Sequence, residues 1–218
     1  MYSINEQVGN FILQLEKDGY DLFPFLPNRD WQEGDPILYS GPYWDDREPT
    51  AAISTLLTGK WLPAGENVNK FERAFSKQFD FKHSVMVNSG SSANLVMIAA
   101  LKKYFDWKDG DEILVCACGF PTTINPIIQA GLKPVFVDVD YSDLNWDLDQ
   151  LKSKITDRTV AAFSSPVLGN PYDMDKFLEI IDDAGLKYIA DNCDALGSKW
   201  RDEFLTKHAV AASCSFYP

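Results

Sequence analysis

Residues 83–104 read HSVMVNSGSSANLVMIAALKKY, and the fold of the chain turns on how this stretch is parsed. A β-type run, Val85-Met86-Val87, breaks at Asn88-Ser89-Gly90-Ser91-Ser92, and an apolar pattern at helical spacing follows at once. A strand that turns through small residues into a helix aims free backbone N–H groups and the positive end of the helix dipole at one spot. That spot suits a phosphate dianion, with Gly90, Ser91 and Ser92 as the candidate contacts. The spacing is neither G-x-x-x-x-G-K-[ST] nor G-x-G-x-x-G, so the common nucleotide loops fit poorly. A plain Ser/Gly helix cap is the competing reading.

Outward from this stretch the pattern is regular. Strand-like runs at 84–87, 112–116, 134–139, 159–164, 187–190 and 211–216 alternate with helical patterns at 92–105, 122–131, 147–153 and 173–184. Such alternation predicts an α/β fold, a mostly parallel sheet flanked by helices, with ligands beyond the carboxyl ends of the strands. Upstream, Ile4, Val8, Phe11, Ile12 and Leu15 predict an amphipathic helix over 3–17. Residues 22–50, rich in Pro, Gly, Asp and aromatics, read as an irregular arm packed on a surface such as a partner subunit, with Trp31, Tyr39, Tyr43 and Trp44 as contacts. Pro49 can open a helix that runs through Leu57 to Gly59, and Asn67 or Asn69 can cap another carrying Phe71, Ala74, Phe75 and Phe79. The expected organisation is an N-terminal helix and arm over 1–50 and a large domain over 51–218. The chain stops just after a strand, at Ser215-Phe216-Tyr217-Pro218, which reads as a fragment or a protein cut mid-domain.

The 218 residues, 45% hydrophobic, suit one good-sized core. A net charge of -12 argues against a nucleic-acid backbone or an anionic membrane as partner. No apolar run approaches the ~18 residues of a membrane span, and the N-terminus lacks a signal-peptide pattern, so a soluble cytoplasmic protein is expected. Cys116, Cys118, Cys193 and Cys214 do not form paired CxxC knuckles, and His83 and His208 are too few for a histidine-rich metal centre.

The run Lys187-Tyr188-Ile189-Ala190 ends in Asp191-Asn192-Cys193-Asp194-Ala195-Leu196-Gly197-Ser198. A carboxylate past a strand end points into the ligand crevice, so Asp191 can be a general base, a metal ligand, the partner of a cofactor cation, or a turn cap. Together with the phosphate loop it describes a more specific site. Pyridoxal phosphate needs a phosphate cup and an anion that keeps its pyridine nitrogen protonated, so that the ring can take up electrons from a carbanion. It also needs an apolar face on the ring, which Phe120 in Cys118-Gly119-Phe120-Pro121-Thr122-Thr123 can supply; ordinary core packing is the alternative for Phe120.

The ordered motifs WLPAGENVNKFE, VMVNSGSSAN, CGFPTTINPI, PVFVDVD, DNCDALGS and SFYP, over roughly residues 39–218, resemble the DegT/DnrJ-type sugar aminotransferase superfamily of fold-type-I pyridoxal-phosphate enzymes. The resemblance implies the large domain of that fold with its C-terminal small domain missing, and that Ser91 and Ser92 hold the phosphate, Phe120 stacks on the pyridine ring, Asp191 pairs with its nitrogen and Ser215 gives the phosphate another hydroxyl. Asp194 falls where most relatives carry Gln or His near the cofactor's 3-hydroxyl, which leaves its role open. The position of the aminotransferases' catalytic lysine lies two residues past Pro218.

DNCDALGS, SFYP and the long arm resemble the branch of 3-dehydratases that act on CDP-linked 4-dehydro-6-deoxyhexoses in dideoxysugar and lipopolysaccharide biosynthesis. In that branch a histidine replaces the lysine and the cofactor is pyridoxamine phosphate, held non-covalently. The resemblance further implies a homodimer, a reductase partner and a [2Fe-2S] cluster, with Cys193 matching the first cluster cysteine; a small buried thiol is the alternative for Cys193. Two other functions stand beside the dehydratase: a pyridoxal-phosphate aminotransferase that moves nitrogen from glutamate to a keto-sugar, and an inactive cofactor-binding or dimerisation module.

Overall fold

The computed structural model describes residues 3–22, 32–35, 44–59 and 65–217. Its helices are, in chain order, α1 (Ile4–Lys17), α2 (Arg47–Thr58), α3 (Glu66–Gln78), α4 (Gly90–Tyr104), α5 (Pro121–Gln129), α6 (Leu148–Ser153) and α7 (Met174–Asp183). Its strands are β1 (Glu112–Cys116), β2 (Lys133–Val137), β3 (Thr159–Ser164), β4 (Lys187–Asp191), β5 (Lys199–Trp200), β6 (Glu203–Phe204) and β7 (Ala211–Ser213). The chain divides into two units, Met1–Phe71 and Glu72–Tyr217.

In the second unit a five-stranded sheet runs in the order β2-β1-β3-β4-β7, and every pair in it is parallel. A parallel sheet is covered on both faces, so its central strands are apolar along most of their length; β1, EILVC, is buried at every residue, with Glu112 at its start. Alternation divides the core. Ile113, Val115, Phe163 and Ile189 pack toward Ile98 and Leu101 of α4 and Ile127 of α5. Leu114, Ala162, Tyr188 and Ala190 pack toward Leu151 of α6 and Phe177 and Ile181 of α7. Asp191 follows Ile189 by one strand period, so its side chain lies on the α4 and α5 face.

The chain leaves β1 for β2 on one side and returns to β3 on the other. This reversal opens a crevice at the carboxyl ends of β1 and β3, where α/β sheets bind their ligands. The expected α/β fold is the one observed.

Several boundaries depart from the sequence expectation. Residues 84–87 are extended but form no ladder among the described residues, and Val85 is 78% exposed. A β-type run becomes a strand only when a neighbour supplies its hydrogen bonds; here the Met86 N–H donates to the Glu72 carboxylate. The expected helix at 92–105 begins earlier, at Gly90, because Ser89 caps it. Asn67 and Asn69 lie inside α3 and do not open it. The strands expected at 134–139 and 211–216 end at Val137 and Ser213. The β5–β6 hairpin was not expected; it reverses at Arg201 and Asp202, whose φ values of 46 and 70 are left-handed.

In the first unit α1 opens with a capping box between Ser3 and Glu6, and Val8 and Ile12 are buried. It meets α2 where Gly9 faces the Thr50 side chain. Of the arm, Trp31, Tyr39 and Tyr43 lie outside the described residues, and Trp44 is exposed. No helix among the described residues is long and apolar enough to cross a membrane.

Candidate functional site

Asp191, at the carboxyl end of β4, is 3% exposed. Its Oδ2 accepts hydrogen bonds from Asn94 Nδ2 of α4 at 2.8 Å and from Thr123 Oγ1 of α5 at 2.6 Å. Its Oδ1 accepts longer ones, from the Cys193 N–H at 3.3 Å and Ser213 Oγ of β7 at 3.4 Å. These four donors are neutral. A carboxylate withdrawn from water carries a large desolvation cost that neutral donors offset only in part, and it retains an affinity for a cation.

The phosphate-loop candidates lie at the start of α4. The Ser89 hydroxyl accepts from the Ser92 N–H at 3.1 Å, and the Ser89 carbonyl accepts from Ala93. The N–H groups of Gly90 and Ser91 have no acceptor among the described residues. The helix cap is therefore real, and it leaves the first two helical donors open at the positive end of the dipole. Ser91 is exposed, while Ser92 is half-buried. Ser215, beyond β7, comes to the same place: a β-carbon built on Gly90 would lie 3.2 Å from Ser215 Oγ and 2.9 Å from Cys193 Sγ.

Phe120 caps the start of α5 and is 66% exposed, which removes core packing as its explanation. It is tied to the carboxylate through Thr123, whose N–H donates to the Phe120 carbonyl and whose hydroxyl donates to Asp191. Asp194 is exposed and accepts from the Tyr217 hydroxyl at 2.5 Å. Cys193 is half-buried, and burial first, then the neighbouring Asp191 charge, pushes its thiol well above its ordinary range. Among the described residues no group of three or more His, Cys, Asp or Glu side chains could hold a metal ion.

The geometry therefore brings Gly90, Ser215 and Cys193 together at the start of α4, with Asp191 bonded to Asn94 of the same helix. It leaves Asp194 at the rim. The profile of the DegT/DnrJ/EryC1/StrS aminotransferase family matches residues 44–218. The chain belongs to this family. It is 38% identical over 187 residues to dTDP-4-dehydro-2,6-dideoxy-D-glucose 3-dehydratase of Saccharopolyspora spinosa, covering 84% of this chain and 40% of that enzyme. It is 31% identical over 220 residues to a lipopolysaccharide biosynthesis protein, RfbH, of Salmonella typhimurium, covering 99% of this chain and 49% of the relative. Among solved structures it resembles an E. coli GDP-4-keto-6-deoxy-D-mannose-3-dehydratase with bound hydrated PLP, at a TM-score of 0.71 and 40% identity, covering 75% of this chain and 42% of that one. The chain thus spans less than half the length of these relatives.

Three contributors escaped the sequence reading: Asn94, Thr123 and Ser213. Asn94 had a signal, a polar residue four and seven positions before Ile98 and Leu101 on the buried face of α4. Thr123 and Ser213 had none, because hydroxyls near strand and helix ends are common in any turn.

Proposed function

We propose that the chain is the cofactor-binding part of a pyridoxal- or pyridoxamine-phosphate enzyme that removes the 3-hydroxyl of a nucleotide-linked 4-keto-6-deoxyhexose in dideoxysugar or lipopolysaccharide biosynthesis. The observation that carries this reading is Asp191, a buried carboxylate with neutral donors, bonded through Asn94 to the helix whose first N–H groups are open. A phosphorylated pyridinium fits both ends, with its ring nitrogen at the carboxylate and its phosphate at the helix start. When bound, the protonated ring supplies an electron sink for a carbanion.

In this reading the N–H groups of Gly90 and Ser91 and the hydroxyls of Ser92 and Ser215 bind the phosphate. Phe120 covers a ring face, and Asp191 holds the ring-nitrogen proton. Asp194 and Tyr217 lie near the rim. Residues 51–218 act as the large domain. The CDP-linked substrate implied by the sequence becomes a coarser one, since the dehydratases matched are named for dTDP- and GDP-linked sugars.

A homodimer, a cytoplasmic location, a reductase partner and a [2Fe-2S] cluster at Cys193 belong to the same proposal. No step is assigned to the cluster. Iron and sulfide content after anaerobic reconstitution, for the wild type and Cys193→Ser, tests it separately.

The test of the main reading is cofactor uptake by the purified protein, followed by mass spectrometry of the sugar after incubation with a nucleotide-linked 4-keto-6-deoxyhexose and glutamate. Saturable uptake that Asp191→Asn abolishes, with a sugar product lacking one oxygen, supports the dehydratase. A product with an amino group in place of the keto oxygen makes the protein an aminotransferase. Absence of uptake leaves the inactive module.

A further inference from the structure

The two oxygens of Asp191 are not equivalent. Oδ2 is engaged by the short bonds from Asn94 and Thr123, at 2.8 and 2.6 Å, whereas Oδ1 receives only the long contacts at 3.3 and 3.4 Å. Each oxygen has about two lone-pair sites and two protein donors, but only those on Oδ2 are short; the long contacts on Oδ1 are weak enough for a stronger donor to displace. We infer that Asn94, with Thr123, is a positioning residue that clamps Oδ2 and so presents Oδ1 to the N–H of a cationic heteroaromatic ring. The inference rests on the reading of Asp191 as partner of the cofactor's ring nitrogen, and adds which oxygen serves and what holds it.

A second observation is independent of the bond lengths. Asn94 is 1% exposed on the apolar face of α4, and its own carbonyl oxygen is buried with no donor among the described residues. Packing alone favours an aliphatic side chain there, beside Ile98 and Leu101. An unsatisfied buried acceptor is a cost that native structures rarely carry without a reason. Both contacts of Asn94 Nδ2 go to the site, one to Asp191 and one to the carbonyl of Thr122 in the first turn of α5 at 3.1 Å. Asn94 therefore ties the carboxylate to both helices. Gly90 opens the same helix, four residues before Asn94, a rise of about 6 Å.

The experiment uses pyridoxal 5′-phosphate labelled with 15N in the ring, bound to the full chain, with the ring nitrogen titrated by NMR and affinity measured by absorbance. Asn94→Leu and Thr123→Val are each expected to weaken binding on the order of tenfold, the loss of one hydrogen bond to a charged group. Each is also expected to lower the pH at which the ring nitrogen gives up its proton, because a released carboxylate turns away from the ring. Thr123→Ser, which keeps the hydroxyl, is expected to restore both. Wild-type affinity and titration in both variants overturn the inference. If Asn94→Leu fails to fold, the Thr123→Val and Thr123→Ser pair decides in the same way. A wild-type chain that does not bind the cofactor, or binds it with an unprotonated ring nitrogen at neutral pH, overturns the Asp191 reading itself.

Discussion

Gly90 and Ser215 lie so close that a β-carbon on Gly90 would come within 2.8 Å of the Ser215 β-carbon. The start of α4 and the segment after β7 are thereby pressed together, far apart in sequence, at the proposed phosphate site. Gly90→Ala must push Ser215 or Cys193 aside, since no real β-carbon tolerates that distance. Overpacking of this kind costs about 1–3 kcal/mol. The variant is expected to melt at a lower temperature and to lose phosphate-dependent cofactor binding, whereas Ser91→Ala keeps the stability of the wild type. Differential scanning calorimetry with and without pyridoxal 5′-phosphate checks both.

Cys118 and Cys193 are expected to differ in reactivity. Cys118 is exposed. Cys193 is half-buried, with its thiol pushed up by burial and by Asp191. The thiolate is the reacting species, so iodoacetamide at neutral pH labels Cys118 first and leaves Cys193 largely unmodified in the folded protein. Peptide mass spectrometry over a time course reads the order; equal labelling of the two would remove the assigned environment of Cys193.

Glu112, at the start of β1, is buried. The Lys133 ammonium first, then the Thr156 hydroxyl, holds its carboxyl below its ordinary value of 4.5. A carboxylate with a depressed folded pKa adds stability above its unfolded pKa and loses it as pH falls through the folded value. The stability difference between wild type and Glu112→Gln is therefore full at neutral pH, shrinks below about pH 4.5 and vanishes in stronger acid. Urea titrations at a series of pH values measure it; a difference that grows on acidification contradicts the sign.

Phe177 of α7 is fully buried and meets Tyr188 of β4 edge-on, with ring centroids 5.1 Å apart. Tyr172 and Trp146 also pack edge-on against the same ring. Phe177→Ala is expected to cost about 3–5 kcal/mol, the transfer and cavity terms together. Because Tyr188 lies in the strand that ends at Asp191, cofactor affinity is expected to fall as the folded fraction falls, with no separate change in the ring-nitrogen titration. Urea denaturation followed by far-UV circular dichroism gives the magnitude.

In the first unit, the hydroxyls of Thr50 and Ser54 on α2 are buried with no hydrogen-bond partner among the described residues. Thr50→Val replaces an unsatisfied hydroxyl with a methyl of similar size. It is expected to be neutral or to stabilise by up to about 1 kcal/mol, as read from the midpoint of thermal unfolding.

Local pattern determined much of this protein. The alternation of EILVC, TVAAFS and KYIAD with helical runs is written within windows of a few residues, so the parallel α/β sheet was legible, as was Asp191 at a strand end. Ser89-Gly90-Ser91-Ser92 announced a helix start for the same reason. Tertiary structure decided the rest. Residues 84–87 carry β propensity, but a strand needs a neighbour to complete its ladder, and no window of sequence contains the neighbour. Asn94 and Thr123 stand 97 and 68 residues from Asp191. Strand period fixes only the face on which Asp191 lies. Helices α4 and α5, packed over that face, bring an amide and a hydroxyl close to one oxygen and leave the other with only long contacts.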